Sequence, residues 1–377
     1  MPSPVFPLSP NAYDMKLFIP GPTQVAPEIL QEMARPAIGH RTEECARVWK
    51  ECRSGLRQLM GTQEEILMIT GPASAMMEAS IRNTVATRSL HLVCGAFSKR
   101  WFDIASACGK EAHALEVPLG QGFQGAQVRE ALQSGIDKGE PFDAITLVHN
   151  ETSTGVTSPL EEVGAVLREF PDTLFLVDTV SSMAGMEVQV DAWGIDVCLF
   201  GIQKAMALPA GLAIASVSAA VLERAESVPN RGWFLDFIKL RDRNLKEQSP
   251  TTPSTAHLYA LAAQLKRIFQ EGLEARWERH AAMAQQTREW ARGHGWGPFP
   301  EEPFLSNTVS CLARGEGPDF APALEILKSQ GLLVSNGYGE LKGKTFRIGH
   351  MGEHTSTDLE DLFRHFDNAL EAKVTEA

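Results

Sequence analysis

LFLVDTVSSMAGMEVQVDAWGIDVCLFGIQK, from Leu174 to Lys204, decides how the rest of the chain is read. Its first run, LFLV, is short, continuously apolar and closed by Asp178, as expected of a strand buried on both faces of a parallel sheet. Asp178 therefore falls at a strand's carboxyl end. The second run, Asp196 to Phe200 (DVCLF), has the same character and delivers Gln203 and Lys204 just past its own end. Ligands of open α/β sheets bind beyond the carboxyl ends of the strands, so the spacing lets Asp178 and Lys204 face one crevice from neighbouring strands. A lysine after a strand is more often a solvated turn residue, however, and an acid there more often a helix cap. Alone, the stretch selects a type of sheet but no chemistry.

At 377 residues the chain exceeds one ordinary domain, so one large domain plus a smaller one is the expectation. Hydrophobic residues at 44% and charged residues at 22% are those of a soluble globular protein. The formal net charge of -12 argues against nucleic acid or an anionic membrane as partner, since both reward clustered Lys and Arg. No apolar run approaches membrane-spanning length, and the N-terminus MPSPVFPLSPN is broken by prolines, so a cytoplasmic location is expected. The six cysteines (Cys45, Cys52, Cys94, Cys108, Cys198 and Cys311) form no CxxC pair and read as reduced core residues, with no metal site among them.

Residues 1 to 25 lack periodicity and carry six prolines, which predicts an extended arm outside the core. Residues 26–255 then read as the large domain and 256–377 as a small α+β domain. In AIGHRTEECARVWKECRSGLRQLMG, Val48, Cys52, Leu56 and Leu59 make one helical stripe, with His40 and Arg41 before it as surface residues or an anion contact. EILMITGPASAMMEASIRNTV is a short strand, a turn of small residues and a helix, a junction that presents N–H groups to an anion. Pro72 has no N–H, so the donors there are Ala73, Ser74 and Ala75. HLVCGAF is read as a strand ending in Phe97, whose ring can stack on a planar ligand or make a plain core contact. AITLVHNETSTGV leaves the sheet as a cluster of hydroxyls and amides that includes Thr152. Neither GxGxxG nor GxxxxGK[ST] appears at these junctions.

After Pro253, Ser254 or Thr255 starts a long helical run to about residue 295. Strands near TVSCLAR, LLVSNG and KTFRIG follow, with a helix at ALEILKSQG and a last helix started by a Thr357/Glu360 capping box. Four strand ends thus offer an anion cradle, a flat aromatic ring, hydroxyl donors and the Asp178/Lys204 pair. Together they suit a phosphorylated aromatic aldehyde such as pyridoxal phosphate, whose Schiff base needs a lysine and whose ring nitrogen needs a carboxylate.

The stretches FIPGPTQVAPEILQEM, GPASAMMEA, HNETSTGV, LVDTVSS, FGIQKAMALPAG and TFRIGHMG, spread over nearly the whole chain, resemble class V aminotransferases of fold type I. The similarity is greatest to the alanine–glyoxylate and serine–glyoxylate (serine–pyruvate) branch. It implies an α/β fold with a mostly parallel seven-stranded central sheet, helices on both faces and a smaller α+β C-terminal domain. It further implies a transaminase that moves an amino group from alanine or serine to glyoxylate or pyruvate. Lys204 would then form the Schiff base and carry the proton. Asp178 would pair with the ring nitrogen, Val180 and Phe97 would flank the ring, and Thr152 would reach its hydroxyl region. Ala73, Ser74 and Gln203 would hold the phosphate with Thr251 of the other subunit of a homodimer. Arg347 would clamp the substrate carboxylate near Gly21. The cradle reads GPASA where relatives commonly carry GSG followed by His or Thr, and Gln248 stands where they often carry tyrosine. A cysteine desulfurase-like lyase using Cys311, and a non-catalytic regulatory protein that binds the same cofactor, are the alternatives.

Overall fold

The computed structural model describes residues 15–374. In chain order the first half contains β1 (Lys16–Phe18), α1 (Pro27–Met33), α2 (Glu43–Met60), β2 (Glu65–Thr70), α3 (Ala73–Thr84), β3 (Arg88–Val93), α4 (Ala96–Ala107), β4 (Glu111–Glu116), α5 (Gly125–Asp137) and β5 (Ala144–Val148). A short hairpin of β6 (Asn150–Glu151) and β7 (Val156–Thr157) leads to α6 (Leu160–Leu167), β8 (Leu174–Asp178), β9 (Val197–Gly201), β10 (Leu212–Val217), α7 (Ala219–Ser227) and α8 (Phe237–Asn244). The remainder is α9 (Thr255–Glu271), α10 (Leu273–Gly293), β11 (Gly297–Pro298), β12 (Val309–Ala313), α11 (Ala321–Ser329), β13 (Leu332–Asn336), β14 (Thr345–Gly349) and α12 (Ser356–Val374).

Seven strands make the main sheet in the order β2-β10-β9-β8-β5-β3-β4. Strands β9, β8, β5, β3 and β4 pair in parallel, and β10 runs antiparallel to both β9 and β2. The sheet is therefore mostly parallel, as the resemblance implies. Because β10 reverses direction twice over, β2 points the same way as β9. The carboxyl ends of β2, β9, β8, β5 and β3 thus share one edge of the sheet. Alternation along each strand explains the uninterrupted apolar runs: Phe175, Val177, Cys198 and Phe200 join the core on one face, while Leu174, Leu176, Val197 and Leu199 join the core on the other. The edge strand β4 ends in the charges Glu111 and Glu116 at both extremities, a common guard against edge-to-edge pairing.

The second sheet, β1-β13-β14-β12-β11, has its own aromatic core around Trp296, Phe320, Phe346 and Phe366. Here the structure corrects the expected arm. Residues 1–14 lie outside the described residues, but Lys16–Phe18 pairs in parallel with Leu332–Val334, and Phe18 is fully buried in this second core. The long run after Pro253 is likewise two helices, separated by Gly272 at φ +86°, a backbone angle that favours glycine. The capping box of α12 sits two residues earlier than expected. The Thr355 amide donates to Asp358 Oδ2 (2.8 Å) and the Asp358 amide to Thr355 Oγ1 (3.3 Å). Among the described residues no helix is long and apolar enough to cross a membrane.

Candidate active site

Beyond the shared edge of the main sheet lies a cavity of about 230 Å³ lined by Ala73, Ser74, Phe97, Arg100, Asn150, Thr152, Asp178, Val180, Ser181, Gln203 and Lys204, among others. Five strand ends converge on it. Register makes the convergence unavoidable: Asp178 stands opposite Val148 of β5 and Leu199 of β9, so its carboxyl group lies between the loops that leave both neighbours.

Asp178 is 4% exposed and accepts a hydrogen bond from the Val180 amide (2.6 Å). Burial pushes its pKa up to about 7, against the pull of that hydrogen bond and of the Lys204 and Arg100 charges. Lys204 shows the opposite response. Burial, aided by the Arg347 charge, lowers its amine to about 8, and Asp178 only partly restores it. An acid raised and a base lowered toward neutrality in one cleft are the mark of a site that exchanges protons. The Lys204 ammonium donates to the Pro20 carbonyl, while Thr23 Oγ1 donates to the Lys204 carbonyl (2.8 Å) and the Thr23 amide to the Gln203 carbonyl (3.1 Å). Residues 20–23 are thus built into the lysine loop. Between them Gly21 takes φ +103°, and a Cβ there would stand 2.3 Å from the Lys204 Cδ, so only glycine fits.

The anion cradle is smaller than the sequence implies. At the N-terminus of α3 the Ala75 amide turns back to the Pro72 carbonyl (2.9 Å), and Ala75 does not line the cavity. The donors that remain are the Ala73 and Ser74 amides and the Ser74 hydroxyl, at the positive end of the helix. Gln203 joins them. Gly201 leaves it room: a Cβ there would lie 2.6 Å from Gln203 Oε1 and 3.2 Å from the Ala73 Cβ.

Phe97 does line the cavity, but on the first turn of α4 rather than at the end of a strand. The apolar run HLVCGAF gives no hint of the change because its last residues are already helical. Arg100, one turn further, sits with its guanidinium 4.8 Å from the Phe97 ring centre and was hidden by the same misreading. Asn150 and Ser181 were also missed. Asn150 Nδ2 donates to Ser181 Oγ (2.8 Å) and Thr308 Oγ1 (2.9 Å), locking two of the converging loops together.

Arg347 of β14, in the second sheet, is not itself among the residues that line the cavity but bonds to Thr152, which is. Arg347 is 8% exposed, donates from Nη1 to the Thr152 carbonyl (3.0 Å) and from Nε to the Asn336 carbonyl (3.2 Å), and lies 5.5 Å from the Tyr338 ring centre. Burial lowers its pKa from the usual arginine range. Thr251 is not among the residues that line this chain's cavity. It follows a segment that Arg41 holds through Gln248 Oε1 (2.8 Å) and the Ser249 carbonyl (2.8 Å). Gln248, in the place where tyrosine was expected, thus has a structural partner.

Comparison with known proteins gives the chain's family. A family model described as aminotransferase class-V matches residues 17–291. An uncharacterised aminotransferase of Methanocaldococcus jannaschii is 38% identical over 91% of this chain and 89% of its own length. The serine–glyoxylate aminotransferase of Methylorubrum extorquens is 31% identical over 91% of this chain and 88% of its own. Among solved structures, the alanine–glyoxylate aminotransferase of a Nostoc species superposes with a TM-score of 0.90 at 30% identity, covering 97% of each chain. With more than half its length matched by the family model and its fold shared with these enzymes, the chain belongs to the class-V aminotransferase family.

Proposed function

We propose that the protein transfers an amino group from a small amino acid, alanine or serine, to glyoxylate or pyruvate, with pyridoxal phosphate held in the 230 Å³ cavity. The observation that carries this reading is the Asp178 carboxyl, buried at the end of β8 and lining the same cavity as the Lys204 amine. Such a group is short of a cation, and a protonated pyridine supplies one. The rest of the cavity fits the same molecule: a helix N-terminus with Ser74 and Gln203 for a phosphate, the Phe97 ring and Val180 for a flat face, and the Lys204 amine for an aldehyde.

Bound there, the cofactor would supply the aldehyde for a Schiff base and a ring able to accept the electron pair released when the substrate's α proton leaves. The chain's own groups do the remainder. Lys204, its amine lowered to about 8 by burial, sheds its proton more readily than an exposed lysine, so its Nζ can take the α proton and return it. The carbonyl of Pro20 orients that nitrogen while it is protonated. Asp178 would hold positive charge on the ring. Arg347 presents the planar fork of donors that a carboxylate fits, its hydrogen bonds going to backbone carbonyls that cannot neutralise it.

The donor and acceptor pair is supported by the names of the similar serine–glyoxylate and alanine–glyoxylate enzymes. The test is the near-visible absorbance of the cofactor-loaded chain, which alanine or serine should bleach and glyoxylate restore. A band that neither amino acid alters sinks the substrate assignment. In the same assay Arg347→Lys is expected to raise the half-saturating concentrations of donor and acceptor together, by about 10- to 100-fold for the lost bidentate contact.

A lyase relying on a thiolate is poorly served, because Cys311 is buried within β12 and its thiol is pushed up to about 11 by burial. A reducing cytoplasm suits the six unpaired cysteines. The proposal extends to a homodimer in which Thr251 completes the partner's phosphate site. A fully active species sedimenting at the single-chain mass of 41.2 kDa would argue against it.

A further inference from the structure

Glu151 takes no part in the chemistry above, yet it is wholly buried beside the site and accepts five hydrogen bonds. Its Oε2 receives the Phe97 amide (2.9 Å), the Ser98 amide (2.9 Å) and the Ser98 hydroxyl (3.1 Å). Its Oε1 receives the Ser153 hydroxyl (2.6 Å) and amide (3.2 Å). One oxygen therefore caps the first turn of α4, where Phe97 sits, and the other closes the turn that contains Thr152. Thr152 in turn offers its carbonyl to Arg347 Nη1. The two arms meet again at Tyr338, whose ring centre is 5.8 Å from that of Phe97 and 5.5 Å from the Arg347 guanidinium.

We propose that Glu151 is a positioning residue that fixes the Phe97 ring and the Arg347 guanidinium relative to each other, so that the planes of the cofactor and of the substrate carboxylate are set by one buried group. The inference rests on the proposed cofactor and on the role of Arg347. The physical case is that a buried carboxylate is tolerated only when it is fully hydrogen-bonded, and here every donor belongs to one of two functional loops. Gly95 is shaped to it as well: a Cβ there would stand 2.5 Å from the Glu151 Cγ. An amide in its place keeps the shape but turns an NH₂ toward N–H or O–H donors that then have no acceptor. The retained oxygen still serves one loop, but with the other released the ring and the guanidinium are no longer fixed relative to each other.

The experiment compares the pyridoxal phosphate-loaded wild-type chain with Glu151→Gln by visible circular dichroism of the bound cofactor, by KM for donor and for glyoxylate, and by thermal midpoint. Visible dichroism reports a flat chromophore held at a fixed angle by its surroundings. The expected result is that Glu151→Gln still shows the cofactor's absorbance, loses at least about half of its visible dichroism, and raises both KM values together by about tenfold, the loss of one charge-assisted hydrogen bond. Wild-type dichroism and wild-type KM values overturn the proposal, even if the thermal midpoint falls. Should Glu151→Gln fail to fold, Ser153→Ala, which removes the 2.6 Å donor to Glu151 and the acceptor of the Ala96 amide (3.0 Å), is read in the same way and with the same overturning result. A wild-type chain that takes up no cofactor sinks the proposed function itself. A loaded wild type with an unaffected variant sinks this inference alone.

Discussion

Replacing Lys204 with alanine is expected to lower transaminase turnover by about four orders of magnitude or more. The substitution removes both the amine that would anchor the cofactor and the base that would move the α proton, and positioned proton transfer alone is worth about 10² to 10⁴. Most of the cavity is untouched, because Ala73, Ser74, Phe97 and Asp178 take their positions from other elements. Lys204→Ala should therefore still bind pyridoxal phosphate, but release it on dialysis where the wild type retains it. Steady-state rates and absorbance after dialysis check both halves. Turnover above about one hundredth of wild type would remove Lys204 from the reaction.

Asp178→Asn is expected to give a double result of opposite signs. With cofactor, activity falls by about 10² to 10³, because a neutral amide no longer holds positive charge on the ring. Without cofactor, the variant is the more stable protein above neutral pH. The folded pKa of Asp178 is raised from 3.8 to about 7, so between those values the folded chain holds a proton that the unfolded chain does not. Stability from this group is fully present below pH 3.8 and is lost as pH rises through 7. Asparagine removes that loss, retains an acceptor for the Val180 amide and leaves its own N–H groups short of acceptors. The net gain in the cofactor-free chain is on the order of 1–3 kcal/mol at pH 8 and vanishes near pH 4. Thermal midpoints of the two cofactor-free proteins at pH 4 and pH 8 decide it. A variant less stable at both would show that burial does not strain the acid.

Strands β8 and β9 were legible because a strand covered on both faces has no polar face to interrupt its apolar run, and the charged residues that close such runs stand out. Asp178 and Lys204 were found for that reason. Phe97 was assigned to the site but to the wrong element. The start of α4 is capped by the Ser98 hydroxyl and by the Glu151 carboxylate, reached from 54 residues away, and no local pattern announces the part supplied by a distant loop. Glu151 itself lay in plain view within HNETSTGV, overlooked among the hydroxyls. The break at Gly272 was passed over because the helical periodicity runs on either side of it. For α12, both Thr355/Asp358 and Thr357/Glu360 satisfy the capping spacing, and the choice goes to the pair whose acid also meets Lys16 (2.5 Å). The separation of β1 from the arm was invisible for a similar reason, since three residues carry no periodicity and their pairing partner lies in β13.

That last pairing governs the order in which the protein is completed. Lys16 meets Asp358 across 342 residues of chain, and a few positions later Pro20 meets Lys204. Contacts so far apart in sequence form late, after the entropy of closing the intervening chain has been met. During synthesis the main sheet can assemble before residues 332–349 leave the ribosome, but the first strand has nothing to pair with until they do. Until then Pro20 is tied to the Lys204 loop only through Thr23, and Arg347, which lies on β14, is missing from its place beside Thr152. The arrangement of Pro20, Lys204 and Arg347 is thus complete only once residues 332–349 have taken their places in the second sheet.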